Sequence, residues 1–346
     1  MAVHSKNLLT LALLAAAALV AGCGSGGGTN GTAPTGGGGT SAGTSGFTQG
    51  VITAFGTIHL GSGADERVFH VEDAVLKRVD DDVEHDRQND DTVMFRLGMK
   101  VQIFHDDSTH AREVRFMNDL EGPITAKPSA TAGATFDVLG VPVLVDANTH
   151  FDDSIEHSGL TLGGLAVGNV IEVSGDIDAN GVLHATFIEG AHVSAAGRTF
   201  EIKGDVKNLS GSAPNQTFTV NGVTFTMNGI SQIHDLPVGL SNGVGVEVKT
   251  QSTSAPFIVT RIEGLAGDFN EAENEVRGAD EASVEGFITN LTGSSPDFSF
   301  TISGTHVTTS ASTVGLGLVV ANAHVEAEGA VGATGEIKAR KISARP

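Results

Sequence analysis

Tryptophan and tyrosine are absent from the 346 residues, and cysteine occurs once. Without Trp or Tyr the chain lacks the commonest stacking platforms for sugars and bases, leaving 17 Phe, most of them in strand-like positions. A single thiol excludes an intramolecular disulfide and a thiolate metal centre. Positive charge is scarce as well: 20 Lys and Arg stand against 41 Asp and Glu, a net charge of −21. Such a surface repels nucleic acid and anionic headgroups, so no nucleic-acid partner is expected. A sustained helical period is missing too.

What is there begins with a processing signal. Lys6 supplies a positive first region, and Leu8 to Leu19 is an apolar stretch too short to span a bilayer. Val20-Ala21-Gly22-Cys23 then resembles the lipobox of bacterial lipoproteins, the alternative being an ordinary secretory signal with an incidental Cys. The resemblance implies that residues 1–22 are a signal peptide and that Cys23 carries diacylglycerol, so that the membrane is a partner through the N-terminal lipid. It also implies that Gly24, where Asp favours inner-membrane retention, directs the protein to the outer membrane, facing periplasm or exterior. The cut chain would keep 19 Lys and Arg against 41 Asp and Glu, a net charge of −22. Residues 23–47, lipidated Cys and then almost only Gly, Ser, Thr, Ala and Asn, cannot bury a core and read as a disordered tether.

Internal repeats decide the architecture. Four segments open on a glycine and an extended pattern: Gly50-Val51-Ile52-Thr53, Gly122-Pro123-Ile124-Thr125, Gly204-Asp205-Val206-Lys207 and Gly286-Phe287-Ile288-Thr289, spaced by 72, 82 and 82 residues. A phenylalanine anchor follows at Phe69, Phe136, Phe218 and Phe300; the last three lie 14 residues after their glycines and the first lies 19 after. Next comes a strand of period two. Met99, Val101 and Ile103 alternate with Lys100 and Gln102; Val244, Val246 and Val248 with Gly245 and Glu247; Ala323, Val325 and Ala327 with polar residues; and Ile171 and Val173 flank Glu172. The pattern predicts that Gln102, Glu172, Glu247 and Glu326 face solvent, where a Glu ordinarily serves solubility. A closing strand ends each copy, and Asn180-Gly181 reads as a two-residue hairpin.

About five short strands per copy predict an all-β fold: a tandem array of about four small five-stranded OB-like β-barrel domains behind the tether. A β-sandwich, or one elongated sheet shared between copies, satisfies the same pattern. The expected boundaries are 48–119 for repeat 1, 120–196 for repeat 2, 197–267 for repeat 3, an acidic linker over 268–282, and 283–346 for repeat 4. The unit "G-x-I-T … F-x-V-x-G-V-x-V … G-x-x-V-E-V-x-G … A-T-x-I-E", clearest from Gly122 to Gly190, resembles the DUF5666 domain of bacterial lipoproteins. The resemblance implies small β-barrels in the cell envelope and brings no catalytic residues. Repeat 1 departs from it, with Asp73 where a Gly stands elsewhere and an insertion from Asp80 to Asp91.

Chemistry-bearing side chains cluster in the first half: Asp80 to Asp86, then His105-Asp106-Asp107 with His110, and His150-Phe151-Asp152-Asp153 with His157. Imidazole and carboxylate suit a divalent metal, but no established ligand spacing is present, and solvated loops on an acidic protein are the expected reading. Asp176-Ile177-Asp178-Ala179-Asn180-Gly181 opens like a calcium loop, but the twelfth position is Phe187 and the flanks are strands, so a hairpin turn is expected. Gly239-Leu240-Ser241-Asn242-Gly243 matches a nucleophile elbow, yet a strand pattern follows where that motif needs a helix. The expectation is therefore no enzyme and no required cofactor: a lipid-anchored scaffold or binding protein, with an envelope protein or glycan as partner. Divalent-metal binding at the Asp/His loops, or a hydrolase at Ser241, would be the alternative.

Overall fold

A computed structural model describes residues 45–345 except 62–64, 81–82, 87–94, 127–132, 134, 153–159, 193–194, 196, 235, 237–238 and 265–278. The expected signal peptide, Cys23 and nearly all of the tether lie outside the described residues, as do Asp153, His157 and most of the acidic linker. Among the described residues every long element is a strand, and no helix is long and apolar enough to cross a membrane.

Repeat 1 contributes β1 (Gly46–Ala54), β2 (Ile58–Leu60), β3 (Arg67–Phe69), β4 (Val75–Asp80), β5 (Val83–Asp86), β6 (Lys100–His105) and β7 (Ala111–Met117). Repeat 2 contributes β8 (Leu120–Pro123), β9 (Thr135–Val138), β10 (Val141–Leu144), β11 (His150–Asp152), β12 (Val170–Ile177) and β13 (Leu183–His192). Repeat 3 holds β14 (Phe200–Asp205), β15 (Lys207–Ser212), β16 (Asn215–Val220), β17 (Val223–Thr226), β18 (Gln232–His234), β19 (Gly245–Thr250) and β20 (Phe257–Gly264). Repeat 4 holds β21 (Glu281–Ser294), β22 (Asp297–Ile302), β23 (Thr305–Thr308), β24 (His324–Val331) and β25 (Ile337–Ala344).

Repeat 4 closes on itself: β21 is long enough to pair with β24 along its first half and β22 along its second, completing the ring β21-β24-β25-β23-β22. Short strands joined this way keep one face dry and leave a free edge only along the first half of β21, beyond the ring. The other repeats pair in the same sequence. In repeat 2 the Ile124–Val138 bridge joins the end of β8 to β9, and in repeat 3 the backbone runs from β14 through Val206 into β15. In repeat 1 a parallel bridge between His70 and His110 brings the end of β3 to the start of β7.

The repeats are not separate beads. β1 pairs in parallel with β21, Gly46 opposite Glu281 and Gln49 opposite Val284, so repeats 1 and 4 share a 12-stranded sheet. β8 pairs antiparallel with β14, Glu121 opposite Glu201, so repeats 2 and 3 share a 13-stranded sheet. Sheet sharing, left open by the sequence, therefore occurs between specific partners. One apolar cluster accordingly runs through repeats 2 and 3, while Phe47 and Phe104 of repeat 1 pack into the cluster of repeat 4.

The phenylalanine anchors are all buried, but the first belongs to a different strand. Phe136, Phe218 and Phe300 sit on the second strand of their rings, opposite Val143, Phe225 and Val307. In repeat 1 the pair in that place is Ile58 opposite Phe69, so Ile58 takes the anchor's role and Phe69 lies one strand later. A tight turn over Phe55 to Thr57 shortens the first hairpin of repeat 1, which is why the 19-residue interval did not align.

The repeat glycines have a steric cause. In repeats 2 to 4 the second and third strands are joined by Leu139-Gly140, Asn221-Gly222 and Ser303-Gly304, all six at positive φ, the pairing that a two-residue type I′ turn demands. The first residue of each turn folds over the repeat glycine. A Cβ on Gly122 would lie 2.9 Å from Leu139, one on Gly204 2.5 Å from Asn221 Oδ1, and one on Gly286 2.5 Å from Ser303 Oγ. Asn180-Gly181 forms a different turn from the expected two-residue one. Only Gly181 has positive φ, and Asp178 closes a longer loop by accepting from Asn180 N at 2.8 Å and Val182 N at 3.0 Å.

The expected wet face is not wet. Glu247 and Glu326 are only 5% and 6% exposed, and Gln102 and Glu172 are half-buried. Each stands opposite the residue that precedes its repeat glycine: Gln102 opposite Gln49, Glu172 opposite Glu121, Glu247 opposite Lys203 and Glu326 opposite Glu285. Sharing of first strands removes the open edges beside them, and cations lie across the carboxylates: Lys203 and Lys249 on Glu247, Arg67 and Arg345 on Glu326. Along the shared sheet of repeats 2 and 3 one row reads Glu189, Glu172, Glu121, Glu201, Lys249 and Arg261. Like charges directly opposite one another are unfavourable, and burial, with Glu247 nearby, pushes the Glu201 carboxyl up to about 8.

Two expectations follow. Gly286→Ala should lower stability in urea unfolding by about 1–3 kcal/mol, the usual cost of overpacking, because its Cβ would also press within 2.9 Å of buried Asp176. The second concerns pH. A carboxyl whose folded value exceeds its unfolded value of 4.5 favours the fold fully below that value and progressively less up to about pH 8. Melting temperature should thus fall across that window in the native chain, and Glu201→Gln should flatten the fall.

Candidate functional site

Where the repeats meet, residues from all four line a cavity of about 370 Å³. Repeat 1 supplies Gln49, Lys100, Gln102 and Arg115 from β1, β6 and β7. Asn118 and Asp119 follow β7 at the end of repeat 1, Asp178 comes from repeat 2, Lys203, Lys207 and Asn221 from repeat 3, and Thr289 and Ser303 from repeat 4. The turn chemistry described above places several of these. Asn221 and Ser303 are there because their turns fold over Gly204 and Gly286, and Asn221 is fixed by donating its amide to Lys203 O at 2.7 Å.

One wall is a buried ion pair that ties three repeats together. Lys100 Nζ donates to Asp176 Oδ1 at 2.5 Å, to Gly175 O at 3.1 Å and to Ser303 Oγ at 3.0 Å. Ser303 Oγ lies 3.0 Å from Asp176 Oδ1 and 3.1 Å from Glu285 O, and His324 Nε2 lies 3.5 Å from Asp176 Oδ2. Burial opposes ionisation of Asp176, but Lys100 and His324 outweigh it and hold the carboxyl well below the usual range. Burial likewise opposes the charge on Lys100, and Asp176 and Asp119 overcome it, so the ammonium is held more firmly than usual. Burial raises two acids of the lining, Asp119 and Asp205, despite Lys100 beside the first and an Asn290 hydrogen bond to the second. Lys203 donates to Asn118 O at 3.0 Å and pairs with Glu247 at 3.3 Å. Asn118 is 2% exposed, and its Oδ1 accepts no hydrogen bond among the described residues. The cavity can therefore offer fixed donors and acceptors of both kinds.

The residues singled out from sequence are dispersed. His105 is buried against the Phe69 ring at 5.1 Å, its Nε2 3.2 Å from Thr48 Oγ1, and burial lowers its basicity. Asp106 is exposed beside Arg112 at 3.4 Å, and Asp107 caps its own turn by accepting from Thr109 N and His110 N, both at 2.8 Å. His150 is exposed on β11; Asp152 ends that strand. Asp176 is engaged by Lys100, while Asp178 holds its own turn and receives Asn180 Nδ2 at 3.2 Å. Among the described residues no three His, Cys, Asp or Glu side chains converge to hold an ion. Ser241 lies in a turn that leads into β19, a strand where a nucleophile elbow needs a helix.

Sequence inspection passed over Lys100, Asn118, Lys203 and Ser303. A signal was present for one of them: the residue before each repeat glycine, Gln49, Glu121, Lys203 or Glu285, is polar in all four copies. Nothing in the local pattern sets Lys100 apart from a solvated strand residue.

No curated protein matches the chain. The sequence profile of a domain of unknown function, DUF5666, matches residues 121–189, 203–263 and 285–343, which together make up more than half of it. These spans coincide with repeats 2, 3 and 4 of the fold, and the chain belongs to the DUF5666 family.

Proposed function

We propose that the chain is a non-catalytic, lipid-anchored cell-envelope protein whose joined repeats hold a hydroxyl-rich ligand, a glycan fragment, in the central cavity. The observation that carries this reading is the cavity itself, to which all four repeats contribute. Its volume of about 370 Å³ falls within the range of small-molecule sites, roughly 300–1,000 Å³. Amides and hydroxyls such as Gln49, Gln102, Asn221 and Thr289 both donate and accept, as a polyol requires. The acidic chain disfavours a polyanion. The lipobox-like Val20 to Cys23 and the Gly-rich stretch behind it support a tethered module. The ring order, with third and fifth strands parallel in β10–β13, β17–β20 and β23–β25, supports OB-like barrels as the repeating part.

Titration of the full chain with short neutral oligosaccharides, followed by calorimetry, should give saturable binding. Gln102→Leu should weaken it about tenfold, the scale of one lost hydrogen bond. Absence of saturable binding at millimolar ligand would remove the glycan reading. For the anchor, Cys23→Ser should move the protein from the membrane fraction to the soluble fraction; an unchanged distribution would count against lipidation.

A further inference from the structure

At the rim of repeat 1, away from the cavity lining, two histidines stand side by side. His70 follows β3 and His110 precedes β7, and the backbone fixes them as neighbours: His70 N donates to Thr109 O at 2.7 Å, and Ala111 N donates to His70 O at 2.9 Å. Their rings are nearly parallel, 24° apart, with centroids separated by 5.2 Å. Both are open to solvent, with side chains 48% and 66% exposed.

The second nitrogen of each ring is already committed. His110 Nδ1 lies 3.0 and 3.1 Å from the two oxygens of Asp107. Asp107 is held ionised far below the usual carboxylate range by hydrogen bonds from Thr109 N and His110 N. An ionised carboxylate only accepts, so Nδ1 carries a proton, and in the neutral ring the lone pair is on Nε2. His70 Nδ1 faces the Glu72 carboxylate at 3.5 Å in the same sense. Neither Nε2 meets a protein partner among the described residues. Imidazoles whose far nitrogen is backed by a carboxylate and whose near nitrogen is free are the form in which histidine binds metal.

We propose that His70 and His110 form a two-imidazole site for a borderline divalent transition metal, Zn²⁺, Ni²⁺ or Cu²⁺, with Asp107 and Glu72 as the orienting carboxylates. With metal–nitrogen bonds of about 2.0–2.1 Å, two imidazoles on one tetrahedral ion have ring centres about 5 Å apart. The observed separation is 5.2 Å, and the exposed rings, now nearly parallel, would turn so that both Nε2 atoms face one ion. Water completes the coordination. Nitrogen ligands select these ions over Ca²⁺ and Mg²⁺, which the acidic surface attracts without specificity. The pair is particular to repeat 1: Phe69 takes the place of Val143, Phe225 and Val307 in the other repeats, and these are followed by Leu144, Thr226 and Thr308 where His70 follows Phe69.

The test uses the full chain with Cu²⁺ and Zn²⁺ as probes. Electron paramagnetic resonance of the Cu²⁺ complex should show coupling to imidazole nitrogen from a class of site that His70→Gln, His110→Gln and the double variant each remove. In competition dialysis the double variant should bind one fewer equivalent of Zn²⁺ than the native chain, and Asp107→Asn should weaken that equivalent about tenfold, the usual effect of losing an orienting partner. His306→Gln, an exposed histidine bonded to Ser299 at 2.8 Å, should change neither measurement. Both substituted side chains are exposed, so the fold is expected to survive, and an unchanged melting curve without metal checks this. A native spectrum or an undiminished zinc equivalent in the folded double variant would overturn the site.

Discussion

Backbone hydrogen bonding between first strands is the constraint on which everything else here rests. A ring of five short strands has few residues per strand, and its first strand projects beyond the ring as an unpaired row of amides and carbonyls. In this molecule those rows are satisfied by each other: β1 lies along β21 and β8 along β14. The pairing is main-chain chemistry, indifferent to side chains, so it tolerates Thr48 beside Ser283 and Glu121 beside Glu201. It fixes which outward faces come together, and hence which polar side chains lose their water.

The loss of water falls on groups that would otherwise be unremarkable. Removing a carboxylate or an ammonium from water is costly, and mutual attraction offsets that cost only where geometry and hydrogen bonds are complete. The Lys100–Asp176 pair meets that condition with Gly175, Ser303 and His324 around it. Such a pair contributes little net stability but penalises any other docking of repeats 1, 2 and 4, since each alternative strands a charge. It also accounts for Asp176 in a motif that opens like a calcium loop. That carboxylate already has its cation, and the cation is a lysine.

Much of the fold was legible because its determinants are local. Alternation of Met99, Val101 and Ile103, or of Val246 and Val248, reports which side of a strand faces its own ring, and all of these are buried. The recurring glycines marked the copies, although their cause, the close approach of Leu139, Asn221 and Ser303, shows only in the fold, and the one hairpin read from its turn residues, Asn180-Gly181, is a longer loop. The same alternation is silent on what lies beyond the ring. Glu247 and Glu326 therefore read as wet while Lys203, Lys249, Arg67 and Arg345 in fact lie over them. Phe69 was aligned by spacing alone, and spacing changes when one hairpin is shortened. The cavity was illegible in principle, since its walls come from segments as far apart as Gln49 and Ser303. His70 and His110 are likewise forty positions apart in sequence and neighbours only through one parallel bridge.

The parallel alignment of β1 with β21 joins the beginning of the described chain to its final repeat. Closing so long a loop is entropically unfavourable until the contacts at its ends are in place, and topologies of this kind acquire their native contacts late. A chain lacking repeat 4 would leave Thr48, Phe47 and Phe104 uncovered along an edge open to any passing strand. The last segment thus acts as the clasp of a necklace: until it fastens, the first bead offers its edge to strangers.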